Sequence, residues 1–343
     1  MSIGSVFYWA WRIRNTIDIL VLGQPQSVGR LQAEKEVPFF HTLAARTGLP
    51  LSIAYIPANA FGLKDNYQLE ALRVNRIGLA SLRFMQNTAA APALEGIDLP
   101  GMVSTAATAR QVTDAYSPWL DHELHRLYGI KLLGIWSFGP QVLFCRSSIA
   151  SLKDIKGRPV RVASSSLAQI IRGLGGVPAV IPFDDTETAL RAQIVDCAVT
   201  SAASAMAAGW TDHTNYYLPL PMHYGLNGYT IGSQVWSKLS SDQQQQLARS
   251  FAAFNAELWR FSEELRQESE RCLSTGRCSG STHRRLIRVE PTRDDVKLLH
   301  QISRHAVIPA WLARCEAKHP GCRRAWTTTV APILTTADIG KTE

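Results

Sequence analysis

The run over 240–272 restricts the architecture more than any other part of the chain. Ser240 and Ser241 ahead of Asp242 offer an N-cap, and Leu247, Phe251, Phe254, Leu258, Phe261 and Leu265 then recur at three- and four-residue steps. That spacing lays one apolar stripe along an α-helix. A helix of about thirty residues is roughly 45 Å long at 1.5 Å per residue. One small lobe does not need so long an element, so the run predicts a helix that bridges two. The 343 residues and 46% hydrophobic content agree, because single cores stop growing at about 250–300 residues and longer chains divide.

Ahead of that run, strands and helices alternate. Residues 17–22 read as a short apolar strand closed by Gly23, 32–46 as an amphipathic helix stopped at Thr47-Gly48, 51–56 as a strand ended by Pro57, 67–74 as a helix and 77–82 as a third strand. The rhythm returns with strands at 132–137, 142–145, 160–162, 179–181 and 197–200, and with helices at 167–174 and 186–193. Alternation of this kind predicts an α/β fold with largely parallel sheets. Beyond the long helix the pattern predicts a strand at 286–289, a helix over 294–314 kinked or broken at Pro309, and a closing segment at 326–334.

Arg161 lies on the short strand at 160–162, just before the small-residue turn Ala163-Ser-Ser-Ser166 that opens a helix. A guanidinium does not shed its charge, and its planar fork suits bidentate capture of a carboxylate or phosphate. In α/β folds, anions collect where a strand end meets a helix N-terminus. The competing reading is an ion pair with Asp184 or Asp185, and the local residues leave the two open.

Charge excludes little. The formal net charge is +8, but lysine and arginine are scattered apart from pairs such as Arg284-Arg285 and Arg323-Arg324. No basic and aromatic module of a nucleic-acid binder is present, so nucleic acid is not expected as a partner. Among the six cysteines, Cys272 with Cys278 and Cys315 with Cys322 form two close pairs in polar surroundings. Disulfides in an oxidising compartment fit those spacings better than zinc does. Cys145 and Cys197 sit in apolar runs and read as small buried hydrophobes. Residues 1–16, which include Phe7-Tyr-Trp-Ala-Trp11, Arg12 and Arg14, are set apart as a leader-like segment. They are too short to span a bilayer and lack a secretory n-region and cleavage site; either this start is truncated or misassigned, or export is the wrong expectation.

Catalytic equipment is missing from the sequence. Gly173-Leu-Gly-Gly176 is not a GxGxxG fingerprint and follows a helix instead of opening one. Asp184 and Asp185 are adjacent, and Asp185 reads as a helix cap rather than half of an acid–base pair. His213 and His223 are isolated in sequence, and no HExxH, GxSxG or P-loop occurs. No cofactor or metal is expected.

A resemblance joins these pieces. The chain resembles the solute-binding proteins of TRAP transporters, the DctP-type periplasmic receptors for organic acids, from about 17 to 334. It is carried by Glu36-Val-Pro-Phe-Phe40 through Thr47-Gly48, by Pro57 to Gly62, and above all by Leu152-Lys-Asp-Ile-Lys-Gly-Arg-Pro-Val-Arg161-Val. Gly176-Val-Pro178, Pro182-Phe183, Thr188-Ala-Leu190, Ile194-Val-Asp196 and Val235-Trp-Ser-Lys-Leu239 follow in order. The resemblance implies a two-lobed, type II periplasmic-binding-protein-like α/β fold with a ligand cleft between the lobes and a long lobe-spanning helix. Lobe one is expected over 17–138 plus 226–265, and lobe two over 139–225 plus 266–334.

It also implies a function: an extracytoplasmic, periplasmic receptor, monomeric and not an enzyme, that delivers a small organic carboxylate to TRAP permease subunits driven by an ion gradient. The alternative is an α/β enzyme or sensory module acting on a small carboxylate. Arg161 holds the place of the family's carboxylate-binding arginine, Phe183 that of its ligand-packing aromatic, and Ser164 offers a hydroxyl nearby. The sequence departs from the family at Gln141, where sialic-acid binders carry a second arginine, and at Thr200, where an asparagine is usual. Both departures favour a smaller or more apolar monocarboxylate. From lobe one, Gln24, Gln26 and Ser81 are further candidates, and Arg83 is either a second anion contact or a surface charge. Trp210, Tyr224, Asn227 and Tyr229 either line the cleft or belong to the core.

Overall fold

The computed structural model describes residues 16–63, 65–278, 281–282 and 284–334; the leader-like start lies outside them except for Thr16. The strands are β1 (Ile17–Gly23), β2 (Leu51–Pro57), β3 (Leu79–Arg83), β4 (Ile130–Ser137), β5 (Gln141–Cys145), β6 (Pro159–Val162), β7 (Val177–Val180), β8 (Cys197–Thr200), β9 (Tyr216–His223) and β10 (Leu226–Gly232). A two-residue hairpin, β11 (Arg277–Cys278) with β12 (Ser281–Thr282), and a short β13 (Ile287–Arg288) follow.

Two sheets form. The first has the order β2-β1-β3-β10-β4 and the second β13-β9-β5-β8-β6-β7. The expected parallel pairing holds for β1 with β2 and β3, and for β6 with β7 and β8. It fails at β10, antiparallel to both β3 and β4, and at β5, antiparallel to both β8 and β9. Both reversals arise where the chain changes sheets. It leaves the first sheet after β4, enters the second at β5, and comes back between β9 and β10 through Tyr224 and Gly225.

The long helix makes the third crossing. It spans Ser241–Thr275, 35 residues, and opens on a capping box in which the Ser240 hydroxyl accepts from Gln243 N. Leu247 through Leu265 bury its stripe in a cluster with Phe39, Phe40, Trp136 and Tyr229 of the first lobe. Leu273 joins a second cluster with Phe144, Phe183 and Tyr217 of the other lobe, where Ser274 and Tyr217 share a hydrogen bond of 2.8 Å. The helix therefore contacts both lobes, as its length requires.

Among the elements not read from the sequence are the 23-residue helix Ala106–Tyr128, the short helices Ala58–Phe61, Ala202–Ala207 and Ser233–Trp236, and the strands β9 and β10. The helix expected over 294–314 runs as Arg293–Ile302, a π turn at Ser303–Val307, and Ile308–Lys318, so the regular α-helix is interrupted just before Pro309, which lies at the start of the last segment. These C-terminal helices lie behind both lobes. Trp311 Nε1 donates to Pro92 O and Trp326 Nε1 to Gly96 O, while Arg314 reaches Glu95 and, on the second lobe, the Ser166 hydroxyl.

The cysteines form three disulfides, Cys145–Cys197, Cys272–Cys278 and Cys315–Cys322. The first corrects the reading of Cys145 and Cys197 as independent buried hydrophobes. They face each other across β5 and β8 in register, a pairing that the apolar runs around them do not reveal.

Candidate functional site

A cleft of about 500 Å³, counting its open mouth, lies between the sheets. Its walls come from strand ends of both lobes. The first lobe supplies Arg83, Phe138 and Asn227, and the second supplies Gln141, Arg161, Phe183, Thr200 and Ser204.

Arg161 sits on β6 opposite Ala179 and Ala198 and is 2% exposed. Its fork is held by backbone. Nε donates to Ile181 O at 2.9 Å and Nη1 to Val199 O at 3.1 Å, and the guanidinium lies 5.1 Å from the Trp210 ring centre. Asp184, one of the carboxylates expected to compete for it, accepts instead from the Ser27 hydroxyl at 2.6 Å. Asp185 takes the N-cap position of the helix Thr186–Arg191 without a side-chain cap bond.

Arg83 ends β3 and is 3% exposed, so it is not a surface charge. Its Nε donates to Gln24 Oε1 at 2.9 Å, and its guanidinium lies 5.5 Å from the Phe183 ring, on the other lobe. Phe183 in turn packs at 5.1 Å on Trp210. The two arginines are thus linked through two aromatic faces, an arrangement in which cation–π attraction adds to packing.

A buried carboxylate supports Arg83 from behind. Glu36 is fully buried and accepts from Gln24 N at 2.7 Å, Tyr55 Oη at 2.9 Å and Tyr229 Oη at 2.9 Å. The Gln24 amide donates to Ser81 while its carbonyl receives Arg83. Burial pushes the Glu36 carboxyl above the ordinary carboxylate range despite these donors.

Of the residues expected at the site, Arg161, Phe183, Thr200, Gln141, Arg83 and Asn227 line the cleft. Gln24 and Ser81 lie one layer behind it. Trp210 is fully buried as the backing of Phe183 and Arg161, and Tyr229 is core against Glu36. Ser164 caps the helix Ser165–Gly173, its hydroxyl accepting from Leu167 N at 3.2 Å, and it is not among the lining residues. Gln26 is exposed and bonds Asn59. The reading missed Val28, Met85, Gln86 and His223, which also line the cleft. His223 gave no signal because its partner, Asp98, is 125 positions away. Among the described residues, no aspartate or glutamate lines the cleft, and no helix is long and apolar enough to cross a membrane.

Over residues 24–280 the chain matches bacterial extracellular solute-binding protein family 7, DctP. A search of curated protein sequences found no match. Several solved structures share the fold. A Bordetella pertussis extracytoplasmic solute receptor binding pyroglutamic acid is 17% identical with a TM-score of 0.78, the match covering 90% of this chain and 99% of that one. A TRAP periplasmic solute-binding protein from Desulfovibrio salexigens with bound orotic acid is 15% identical with a TM-score of 0.81, over 93% and 100% of the two chains. One from Rhodoferax ferrireducens with bound malonate is 16% identical with a TM-score of 0.78, over 95% and 100%. The chain belongs to bacterial extracellular solute-binding protein family 7, a family of extracytoplasmic receptors and not of enzymes.

Proposed function

We propose that this protein captures a small organic carboxylate between its lobes and delivers it, as a monomer, to TRAP-type permease subunits that use an ion gradient. The observation that carries the reading is the pair of nearly buried arginines, Arg83 and Arg161, lining one cleft between the lobes. The planar fork of a guanidinium suits bidentate capture of a carboxylate, and a cleft open at its mouth admits one. The lobes are assigned as 17–138 with 226–265, and 139–225 with 266–334, the C-terminal helices of the latter also backing lobe one.

In this reading Arg161 binds the carboxylate and Phe183 covers the ligand body. Thr200, Gln141 and Asn227 offer a hydroxyl and amides to its remaining polar atoms, and Arg83 receives a second acceptor such as a ring carbonyl. Gln24 and Ser81 position Arg83 without touching the ligand. A compact monocarboxylate with further polar ring atoms suits this set; pyroglutamate and orotate, bound by two of the similar structures, have that form.

A thermal-shift screen against small organic acids tests the proposal, run beside Arg161→Ala and Arg161→Lys. An acid at one hundred times its Kd stabilises the folded state by about 2.7 kcal/mol, on the order of several degrees for a chain of this size. Acids that shift the wild type should lose most of that shift in both variants, since lysine keeps the charge but not the fork. If no acid shifts the wild type, or if the variants respond equally, the carboxylate reading fails.

A further inference from the structure

We propose that Gln141 and Asn227 set the specificity of the cleft, selecting small organic acids that carry a hydrogen-bond donor beside the carboxylate: a lactam or heteroaromatic N–H, or a hydroxyl. The inference rests on the carboxylate reading above and narrows its ligand class. Gln141 opens β5 and Asn227 lies second in β10, so the two stand where the chain passes between the sheets, once after β4 and once after β9. Both line the cleft, at 8% and 3% exposed.

The two crossings are bonded to each other. Phe138 N donates to Gly225 O at 3.2 Å, and the Ser137 hydroxyl donates to Tyr224 O at 2.6 Å while accepting from Gly139 N at 2.8 Å. Each amide is tied to this bonded pair by its nitrogen. Gln141 Nε2 donates to Gly139 O at 2.9 Å, and Asn227 Nδ2 to Gly225 O at 2.8 Å. A main-chain carbonyl only accepts, so the side-chain atom facing it is the NH2 group; a flipped amide would set two oxygens against each other at that distance. Gln141 Nε2 also packs on Gly225, 2.5 Å from where a Cβ would stand. Its amino end is thereby kept on the crossing.

With both nitrogens turned to the main chain, Gln141 Oε1 and Asn227 Oδ1 are the ends left for a ligand. Among the described residues, no hydrogen bond occupies either oxygen, and neither is sealed away as a buried atom. The base of the cleft is therefore an acceptor surface, whereas Arg83 and Arg161 make donor walls. Other lining groups carry no such bias. The Thr200 hydroxyl and the Gln86 amide, which no described hydrogen bond holds, turn to donate or accept, and the Ser204 hydroxyl, already accepting from Ser201 at 2.8 Å, adds a donor. Gln141 on β5 and Arg161 on β6 flank β8, so their backbones are about 10 Å apart, close enough for one small acid to meet both. A ligand whose carboxylate lies on Arg161 and whose N–H or O–H faces the base satisfies both polarities. One that turns an ether or ester oxygen there sets lone pairs against the two carbonyls and leaves them unpaired, a mismatch of roughly tenfold to hundredfold in affinity.

Calorimetry of the full chain with three pairs of acids, matched in shape and differing only at the donor, tests this. The pairs are L-pyroglutamate and the lactone with ring oxygen in place of its N–H, pyrrole carboxylate and furan carboxylate, and L-lactate and the acid with fluorine in place of its hydroxyl. For any pair that binds the wild type, the donor-bearing member should be held at least about tenfold more tightly than its twin. Gln141→Met and Asn227→Leu keep the bulk and remove the acceptors, so each should lower that ratio, and the double variant should bring it to within about twofold of unity. The ratio is taken within one protein, so a uniform loss of affinity does not mimic the effect, and if a variant fails to fold the wild-type ratio decides alone. Twins bound equally by the wild type overturn the inference and leave the carboxylate reading intact. A preference that survives unchanged in the double variant also overturns it, since the acceptor then lies elsewhere. If none of the six acids binds, the donor-bearing class is refuted, and the carboxylate reading stands or falls on the wider thermal-shift screen.

Discussion

Truncating Val28 to alanine separates lobe closure from lobe stability. Val28 follows β1 in the short turn Gln26–Val28 of the first lobe, yet it is 6% exposed in a cluster with Phe183, Ala202, Ala205 and Trp210 of the second. The neighbouring Ser27 hydroxyl donates to Asp184 across the same gap at 2.6 Å. Gly29 approaches so closely that a side chain there would meet Ala207 Cβ at 2.7 Å. Parting the lobes withdraws this turn into solvent. Val28→Ala removes two methyl groups from the closed form only, about 1.5 kcal/mol at ~0.8 kcal/mol per buried carbon. With the unliganded protein mainly open, that free energy appears in the ligand Kd as a loss of about tenfold. Ser27→Ala removes one hydrogen bond worth about 1 kcal/mol, a further loss of about fivefold. Titration calorimetry measures Kd, and a melt without ligand measures the fold. The reasoning is refuted if Kd stays within twofold of wild type while the unliganded melting temperature falls, because Val28 would then stabilise the fold in every state.

Replacing both Cys145 and Cys197 by serine opens a loop of 52 positions and should cost about 4 kcal/mol on the chain-entropy estimate, measured as a drop in urea-unfolding free energy. Burial raises the carboxyls of Glu36 and Glu95, so the folded protein binds their protons more tightly than the unfolded chain does. Their contribution is fully present below the unfolded carboxyl range and is lost as pH rises through the raised values. Glu36→Gln should flatten part of that slope in urea melts, and a slope equal to wild type would assign it to other groups. Gly225 has φ +59° and a Cβ there would come 2.5 Å from Gln141 Nε2. Gly225→Ala should cost about 1–2 kcal/mol in backbone strain and weaken ligand binding by displacing Gln141 from the cleft wall.

The legible parts of the fold were those with local periodicity. The stripe from Leu247 to Leu265 declared the long helix, and the apolar runs with Gly or Pro stops declared β1, β2 and β3. The helix Ala106–Tyr128 was overlooked; β10 was missed because both its faces bury residues of mixed character, Thr230 and Asn227 beside Tyr229 and Ile231, and β9 because Pro219 and Pro221 interrupt its pattern. At the site, Arg161 was visible because a fixed charge on an apolar strand demands an explanation. Trp210 and Tyr229 stayed ambiguous since large aromatics suit either a wall or a core. His223–Asp98, Glu36 beneath Arg83, and Cys145–Cys197 were not legible, for each is a pairing at long range that only the topology creates.

The two arginines are mounted differently, and the proposed binding order follows from the difference. Arg161 is bonded to carbonyls of Ile181 and Val199, both in its own lobe, and stacked on Trp210 of that lobe. These three contacts do not depend on whether the lobes are together. Thr200, Gln141 and Phe183 share that lobe, so most of the polar surface is preorganised before closure, which lowers the ordering cost of binding. Arg83 is held by Gln24 of the first lobe but completes its aromatic contact only on Phe183 of the second. Because that contact joins the two sheets, parting them would break it. In the proposed order a carboxylate docks first on Arg161, and closure then brings Arg83, Asn227 and Val28 over it. On that proposal the first step would set which acids are admitted, and the second would add affinity in proportion to how well their remaining surface meets lobe one.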